Sequence, residues 1–341
     1  MKNYKNYSFG ILLTALLAWF SVFASKLTPH GLIGAGVFAL LFGMLLNPLV
    51  SQYQVFEKGF QFTSKKILRL AIILMGMGLS FGQVVEVGKF SLIVMFFTLV
   101  TAFGGGYFIG KFLKMDWKLS SLISAGTGIC GGSAIAAVAP VIDAEESDIA
   151  YAISATFIFD IIMVVLFPIM GHFFQMTDLG FGLWTGTAIN DTSSVVAAGY
   201  AYSDAAGKLS VIVKLTRTLS IVPIVLIFSY INARIAKKSD SRNSAKRITN
   251  RVDIKKIFPW FILMFLAMVA LKSTGLVPDT TSDFLGQMSK FLMVMALGAI
   301  GLRTNFSKLS NSGFTPMVHG FIISTLVVVI SFLVQIFLGQ I

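Results

Sequence analysis

Charge is what this sequence has least of. Asp, Glu, Lys and Arg together make up 12% of its 341 residues, about half the density of an ordinary soluble chain. A broad water-facing surface is therefore excluded. Cysteine occurs once, at Cys130, which excludes an internal disulfide and a cysteine metal cluster. The three histidines, His30, His172 and His319, fall at or near the ends of apolar runs and suggest no metal site. No phosphate-binding glycine loop is present, so ATP-driven pumping by this chain is not expected. Nor is a cleaved leader, because the first apolar run follows Lys2 and Lys5 and no small-residue cleavage site precedes Pro29. Long polar stretches are scarce too; the longest covers residues 233–256.

What is present is apolar length. The chain is 56% hydrophobic and holds 32 phenylalanines, and runs near the roughly 20 residues that cross a bilayer recur from end to end. Eleven segments can be drawn, at about 8–25, 31–49, 66–82, 90–110, 119–141, 148–171, 181–201, 207–232, 257–272, 287–302 and 313–338. The expected fold is all-α and polytopic, with about 10–11 transmembrane segments in a single membrane domain over residues 1–341 and a basic loop at 233–256. The net charge of +12 comes from basic residues in short loops, which is a topology signal and not a nucleic-acid surface. Lysines 2, 5, 58, 65, 66, 111, 114 and 118, the basic run from Arg234 to Lys256, Arg303 and Lys308 fall in one set of loops. The other set holds only Lys26, Lys89, Lys208 and Lys272. The rule puts the N-terminus in the cytoplasm and the C-terminus outside.

One pattern occurs twice. Gly126-Thr127-Gly128-Ile129-Cys130-Gly131-Gly132-Ser133-Ala134-Ile135-Ala136-Ala137 is echoed 60 residues on by Gly186-Thr187-Ala188-Ile189-Asn190-Asp191-Thr192-Ser193-Ser194-Val195-Val196-Ala197. Each has a small, hydroxyl-rich, helix-breaking centre, which hydrocarbon tolerates only where protein or a watered cavity covers the backbone. A duplicated pair of broken segments is the strongest sequence pointer to a transporter's binding site. The charge rule leaves open whether segments 119–141 and 181–201 cross or re-enter on one side. A shorter echo, Gly78-Leu79-Ser80-Phe81 against Gly301-Leu302-Arg303-Thr304-Asn305-Phe306, ends two helices that run opposite ways. If those are inverted copies, the two motifs should enter from opposite faces as hairpins.

The polar residues define the candidate site. Half-helix N-termini at the breaks suit an anion, with Thr127, Cys130, Gly131, Gly132, Ser133, Thr187, Thr192, Ser193 and Ser194 around it. Asn190-Asp191 puts a carboxylate in the second break, where it can bind a cation, carry a coupling proton, or cap the helix starting at Thr192. Ser210, Lys214 and Arg217 share one helix face. The last two are too deep for loop charges and suit an oxyanion. Asp160, midway along its segment, is their internal counter-ion or a proton site. Arg69 and Arg303 stand near segment ends and read as snorkelling or packing residues.

At these residues the chain resembles the sulfate-exporter family of conserved bacterial inner-membrane proteins. The resemblance spans essentially the whole chain. It rests on Leu68-Arg69-Leu70-Ala71-Ile72-Ile73-Leu74 with Gly78-Leu79-Ser80-Phe81, on Ile129-Cys130-Gly131-Gly132-Ser133-Ala134, on Val195-Val196-Ala197-Ala198-Gly199, on Lys214 with Arg217, and on Gly301-Leu302. Asn190-Asp191 departs from it, since some members carry His-Glu there. More distantly the layout is similar to bile-acid:sodium symporters and cation/proton antiporters. That likeness implies inverted repeats, two discontinuous helices, a core domain moving against a panel or dimerisation domain, and a homodimer.

The expectation is a secondary transporter in the bacterial cytoplasmic membrane, not an enzyme, without a resident cofactor. It would export a sulfur oxyanion or sulfonate by alternating access, with Asp191 or Asp160 carrying H+ or Na+. An anion channel, or ion-coupled uptake of an organic acid, is the competing reading. An intramembrane hydrolase built on Asp160 and Asp191 is disfavoured, because two buried carboxylates beside Lys214 and Arg217 look neutralised rather than poised.

Overall fold

The computed structural model describes residues 2–27, 35–238, 258–304 and 314–340, so most of the basic loop, His30 and the stretch from Asn305 to Lys308 lie outside the described residues. Every regular element among the described residues is helical, as expected for an all-α membrane protein. Six of the helices there are long and apolar enough to cross a membrane.

Helix α1 is Lys2–Leu27, α2 is Ala35–Val50, α3 is Gln54–Phe62 and α4 is Leu68–Met75. A wide turn at Thr63–Ile67 joins α3 to α4 and a tight one at Gly76–Gly78 ends α4. Ser80 then caps α5 (Phe81–Val100) through a capping box with Gln83. A wide turn at Thr101–Gly105 carries α5 into α6 (Gly106–Phe112). The two motifs follow as α7 (Trp117–Ala125) with α8 (Gly132–Val138), and α10 (Asp178–Ala188) with α11 (Thr192–Tyr202). Between them runs α9 (Glu146–Phe173). The chain ends in α12 (Asp204–Thr218), α13 (Ile221–Lys238), α14 (Trp260–Ser273), α15 (Asp279–Arg303) and α16 (Phe314–Phe337). The sequence reading of 66–82 began too late. The helix starts at Gln54, and its first turns carry Glu57, Lys58 and Gln61, which hide the start from a hydropathy reading.

Hydrogen bonds across their mouths show that both motif segments are hairpins. At the first, Lys118 Nζ donates to the Asp143 carbonyl at 2.7 Å, so the start and end of the segment share a face. At the second, Ser203 Oγ donates to Asp178 Oδ1 at 2.5 Å, and the Tyr202 hydroxyl to the Met176 carbonyl. Helix α9 leads from one mouth to the other, so the hairpins enter from opposite faces. We call these the Lys118 face and the Ser203 face.

Two groups of helices pack internally. In one, α2 and α15 cross so closely that a Cβ on Gly301 would sit 2.2 Å from the Leu40 carbonyl oxygen. Asn47 Nδ2 donates to the Leu302 carbonyl at that crossing, at 2.7 Å, and Ser289 Oγ ties α15 to the Ala71 carbonyl of α4 at 2.7 Å. Helices α1, α3 and α14 complete the group. In the other, both hairpins pack among α5, α9, α12 and α16. A shared apolar core joins the groups, with Leu40, Ile72 and Leu297 on one side and Val196, Val211 and Leu215 on the other.

Candidate functional site

The hairpin tips are built by local chain chemistry. Helix α7 starts from Asp116, whose Oδ1 accepts from the Lys118 amide at 2.8 Å. It then widens through Gly126–Cys130 and stops at Gly131, which has φ +63° and ψ −134°, a conformation open in practice only to glycine. In the second hairpin, α10 ends at Ala188, and the chain bends through Ile189–Asp191 with Ile189 and Asp191 themselves extended. Asp191 caps α11, its Oδ2 accepting from the Ser193 amide at 2.8 Å. The capping reading of Asp191 therefore holds.

The tips meet at equivalent positions of the duplicated pattern. Gly131 and Asp191 hold the same place in the two copies, and a Cβ on Gly131 would lie 3.2 Å from the Asp191 Cβ. Gly131→Ala is expected to lower stability by roughly 1–3 kcal/mol through backbone strain alone. Gly132→Ala, with open space where its Cβ would go, should be nearly neutral. Equal melting temperatures for the two variants in detergent would contradict this account of the tip.

Two cations and one carboxylate close the electrostatics of the breaks. Lys214 Nζ donates to the Ile129 carbonyl at 2.7 Å and the Ile189 carbonyl at 2.9 Å, again matched positions of the pattern. Arg217 donates from Nε to the Gly128 carbonyl at 2.6 Å, from Nη2 to the Thr127 carbonyl at 2.5 Å, and from Nη1 to the Ile189 carbonyl at 3.5 Å. Both side chains are wholly buried. They satisfy carbonyls that the broken helices leave open, where the helix dipoles are negative. Asp160, also buried, does the reverse. Its Oδ1 accepts from the Asn190 amide at 2.9 Å and its Oδ2 from the Asp191 amide at 2.7 Å, at the positive end of α11.

The remaining motif residues divide between the interior and a cavity. The Thr127 hydroxyl lies 3.3 Å from Ser324 Oγ and the Thr187 hydroxyl 2.6 Å from Ser331 Oγ. The matched threonines thus meet serines seven residues apart on α16. Asn190 is buried and donates to Ser324 Oγ at 3.3 Å, and Cys130 is buried at the first break. Ser194 borders a small enclosed recess beside Leu297.

Ser133, Asp191, Thr192 and Ser193 instead line a cavity of about 460 Å3 between the two helix groups. Its opposite wall comes from α4, the Thr63–Ile67 turn, Phe261 and the end of α15, and carries Lys65, Arg69 and Arg303. Sequence reasoning treated Arg69 and Arg303 as snorkelling or packing residues and did not consider Ser324 or Ser331. A period-seven polar spacing inside the apolar run of α16 was the available signal for the serines. Nothing but the three-dimensional packing brings Lys65 and Arg69 opposite Ser133.

Among the described residues no group of His, Cys, Asp and Glu is arranged to hold a metal ion. The site is a tip-to-tip hairpin pair, clamped from behind by Lys214, Arg217 and Asp160, with a basic cavity in front.

The chain matches the family described as conserved hypothetical protein 698 over residues 9–320. A UPF0324 membrane protein of Clostridium tetani is 71% identical over 341 residues, covering 99% of either chain. One from Streptococcus pneumoniae is 40% identical over 318 residues, 91% of either chain. One from Fusobacterium nucleatum is 37% identical over 336 residues, 93% of this chain and 94% of its own. With a family match and full-length relatives at these identities, the chain belongs to the UPF0324 family of membrane proteins.

Proposed function

We propose that this protein is a secondary transporter of a small anion in the bacterial cytoplasmic membrane, working by alternating access. The observation that carries the reading is the cavity. It opens between two helix groups, ends on the tips of two opposed hairpins, and holds three basic side chains against one carboxylate. Buried polar groups at membrane depth belong to solute pathways.

The basic loops cluster on the Lys118 face, so by the charge rule that face is cytoplasmic, the N-terminus with it, and the cavity faces inward. On the Ser203 face the groups are held shut. Lys290 Nζ pairs with Asp204 Oδ2 at 2.5 Å, and Lys208 Nζ donates to the Gly78 carbonyl at 3.3 Å. Export of a sulfur oxyanion or sulfonate is the proposed direction and substrate class, with the inward-facing cavity as the state that loads from the cytoplasm. The hairpin group is the moving core and α1–α4 with α14 and α15 the panel. Matched contacts at Ile129 and Ile189, and at Thr127 and Thr187, support an inverted repeat. Asp191 carries the coupling H+ or Na+, because both Asp160 oxygens are already taken by backbone amides.

The test is exchange in proteoliposomes. Vesicles loaded with unlabelled sulfite, sulfate or taurine should accumulate the labelled anion transiently and saturably. Large non-saturating currents in planar bilayers would replace the transporter with a channel, and no exchange of any anion would remove the anion reading.

A further inference from the structure

The cavity sets basic and apolar side chains side by side on one wall and faces them with the hairpin tips. Lys65 and Arg69 are four residues apart on one strip of the α3–α4 helix and meet Arg303 from α15. The Arg69 guanidinium carbon lies 5.7 Å from the centroid of the Phe261 ring, within cation–π range, and a guanidinium is a natural fork for a planar or tetrahedral oxyanion. Arg303 is steadied by Glu57 Oε1 at 3.2 Å and Ser64 Oγ at 3.3 Å. Among the basic groups the same wall carries Leu68, Ile72, Phe261 and Ile300, and α9 adds Ile153 and Phe157. The hairpin tips bring the hydroxyls of Ser133, Thr192 and Ser193. Three positive groups against Asp191 in the cavity and Glu57 behind Arg303 still leave an excess of positive charge for the ligand.

A bare sulfate is strongly hydrated over its whole surface and gains nothing from six apolar side chains. A cavity of about 460 Å3 falls in the roughly 300–1,000 Å3 range of sites that hold whole organic molecules. We infer that the substrate is an organic anion, a sulfonate or carboxylate head joined to a short apolar body. The head binds at Lys65, Arg69 and Arg303, and the body lies along Leu68, Ile72 and Phe157. This rests on the anion-transport reading and narrows it. Lys214 and Arg217 have no part in recognition, being spent on hairpin carbonyls.

The test is a homologous series on the full chain in lipid nanodiscs: sulfate, then methane-, ethane-, propane- and butanesulfonate. Empty nanodiscs and alkyltrimethylammonium ions of matched length serve as controls for partitioning. Affinity should rise up to about fourfold per methylene, the equivalent of about 0.8 kcal/mol, until the cavity is filled. Phe157→Ala should flatten that rise, and Arg69→Gln should weaken every sulfonate at least tenfold. Sulfate binding as tightly as butanesulfonate would overturn the inference while leaving anion transport standing. Binding of no anion by the wild-type protein would overturn both. The wild-type series is decisive on its own if a variant fails to fold.

Discussion

Arg217→Ala is expected to lower the stability of the folded protein by about 2–5 kcal/mol, since each buried carbonyl oxygen left without its donor costs about 1–3 kcal/mol. The residue is wholly buried and donates to the carbonyls of Thr127, Gly128 and Ile189. Truncation would leave those oxygens in a site that water does not reach, at the negative ends of two half-helices. Lys214 already serves Ile129 and Ile189 and is not free to replace it. The check is the melting temperature and folded yield in detergent, beside Lys214→Met and the double variant. Because both cations hold the same pair of hairpins, the two losses should not add. A variant with wild-type melting temperature that had lost anion binding would instead make Arg217 a recognition residue, the role its sequence position suggested.

The difference between those roles marks how far the sequence could be read. Length and hydropathy placed the helices except for the polar start of α3, and the duplicated pattern located both breaks. Asp191 as a cap was legible because a short polar side chain before Thr192-Ser193 has a local partner, the Ser193 amide. The depth of Lys214 and Arg217 was legible from their shared face. Their partners were not, because backbone carbonyls carry no sequence signature and a buried cation reads the same whether it faces a ligand or a helix end. Asp160 likewise fits a counter-ion by position, yet accepts from the amides of Asn190 and Asp191.

The rim of the cavity failed for the opposite reason. Arg69 and Arg303 look like surface residues in sequence because they stand near helix ends. Only the crossing of α15 over α3 and α4 turns those ends toward the hairpins. Open hairpin mouths were also out of reach of the charge rule, since re-entrant and spanning segments differ only in the side of the two loops that flank α9, and neither loop carries Lys or Arg. Lys118 reaching the Asp143 carbonyl resolves that.

Asp160 offers the second large effect. Its two oxygens each accept one backbone amide, so an aspartate there suits the bend between Ala188 and Thr192 better than any neutral side chain. Asp160→Asn keeps the shape but presents an NH2 to one of the two amides, and an orphaned buried donor costs about 1–3 kcal/mol. Asp160→Ala orphans both amides and should lose roughly twice as much. Melting temperatures should therefore fall in the order Asp, Asn, Ala, with proteoliposome exchange by Asp160→Asn reduced only as far as its folded fraction falls. Should Asp160→Asn melt like the wild type yet lose exchange entirely, the carboxylate would be a proton carrier and Asp191 would lose that role. The two outcomes separate a residue that builds the hairpin from one that works during transport, and stability with flux measured on one preparation distinguishes them.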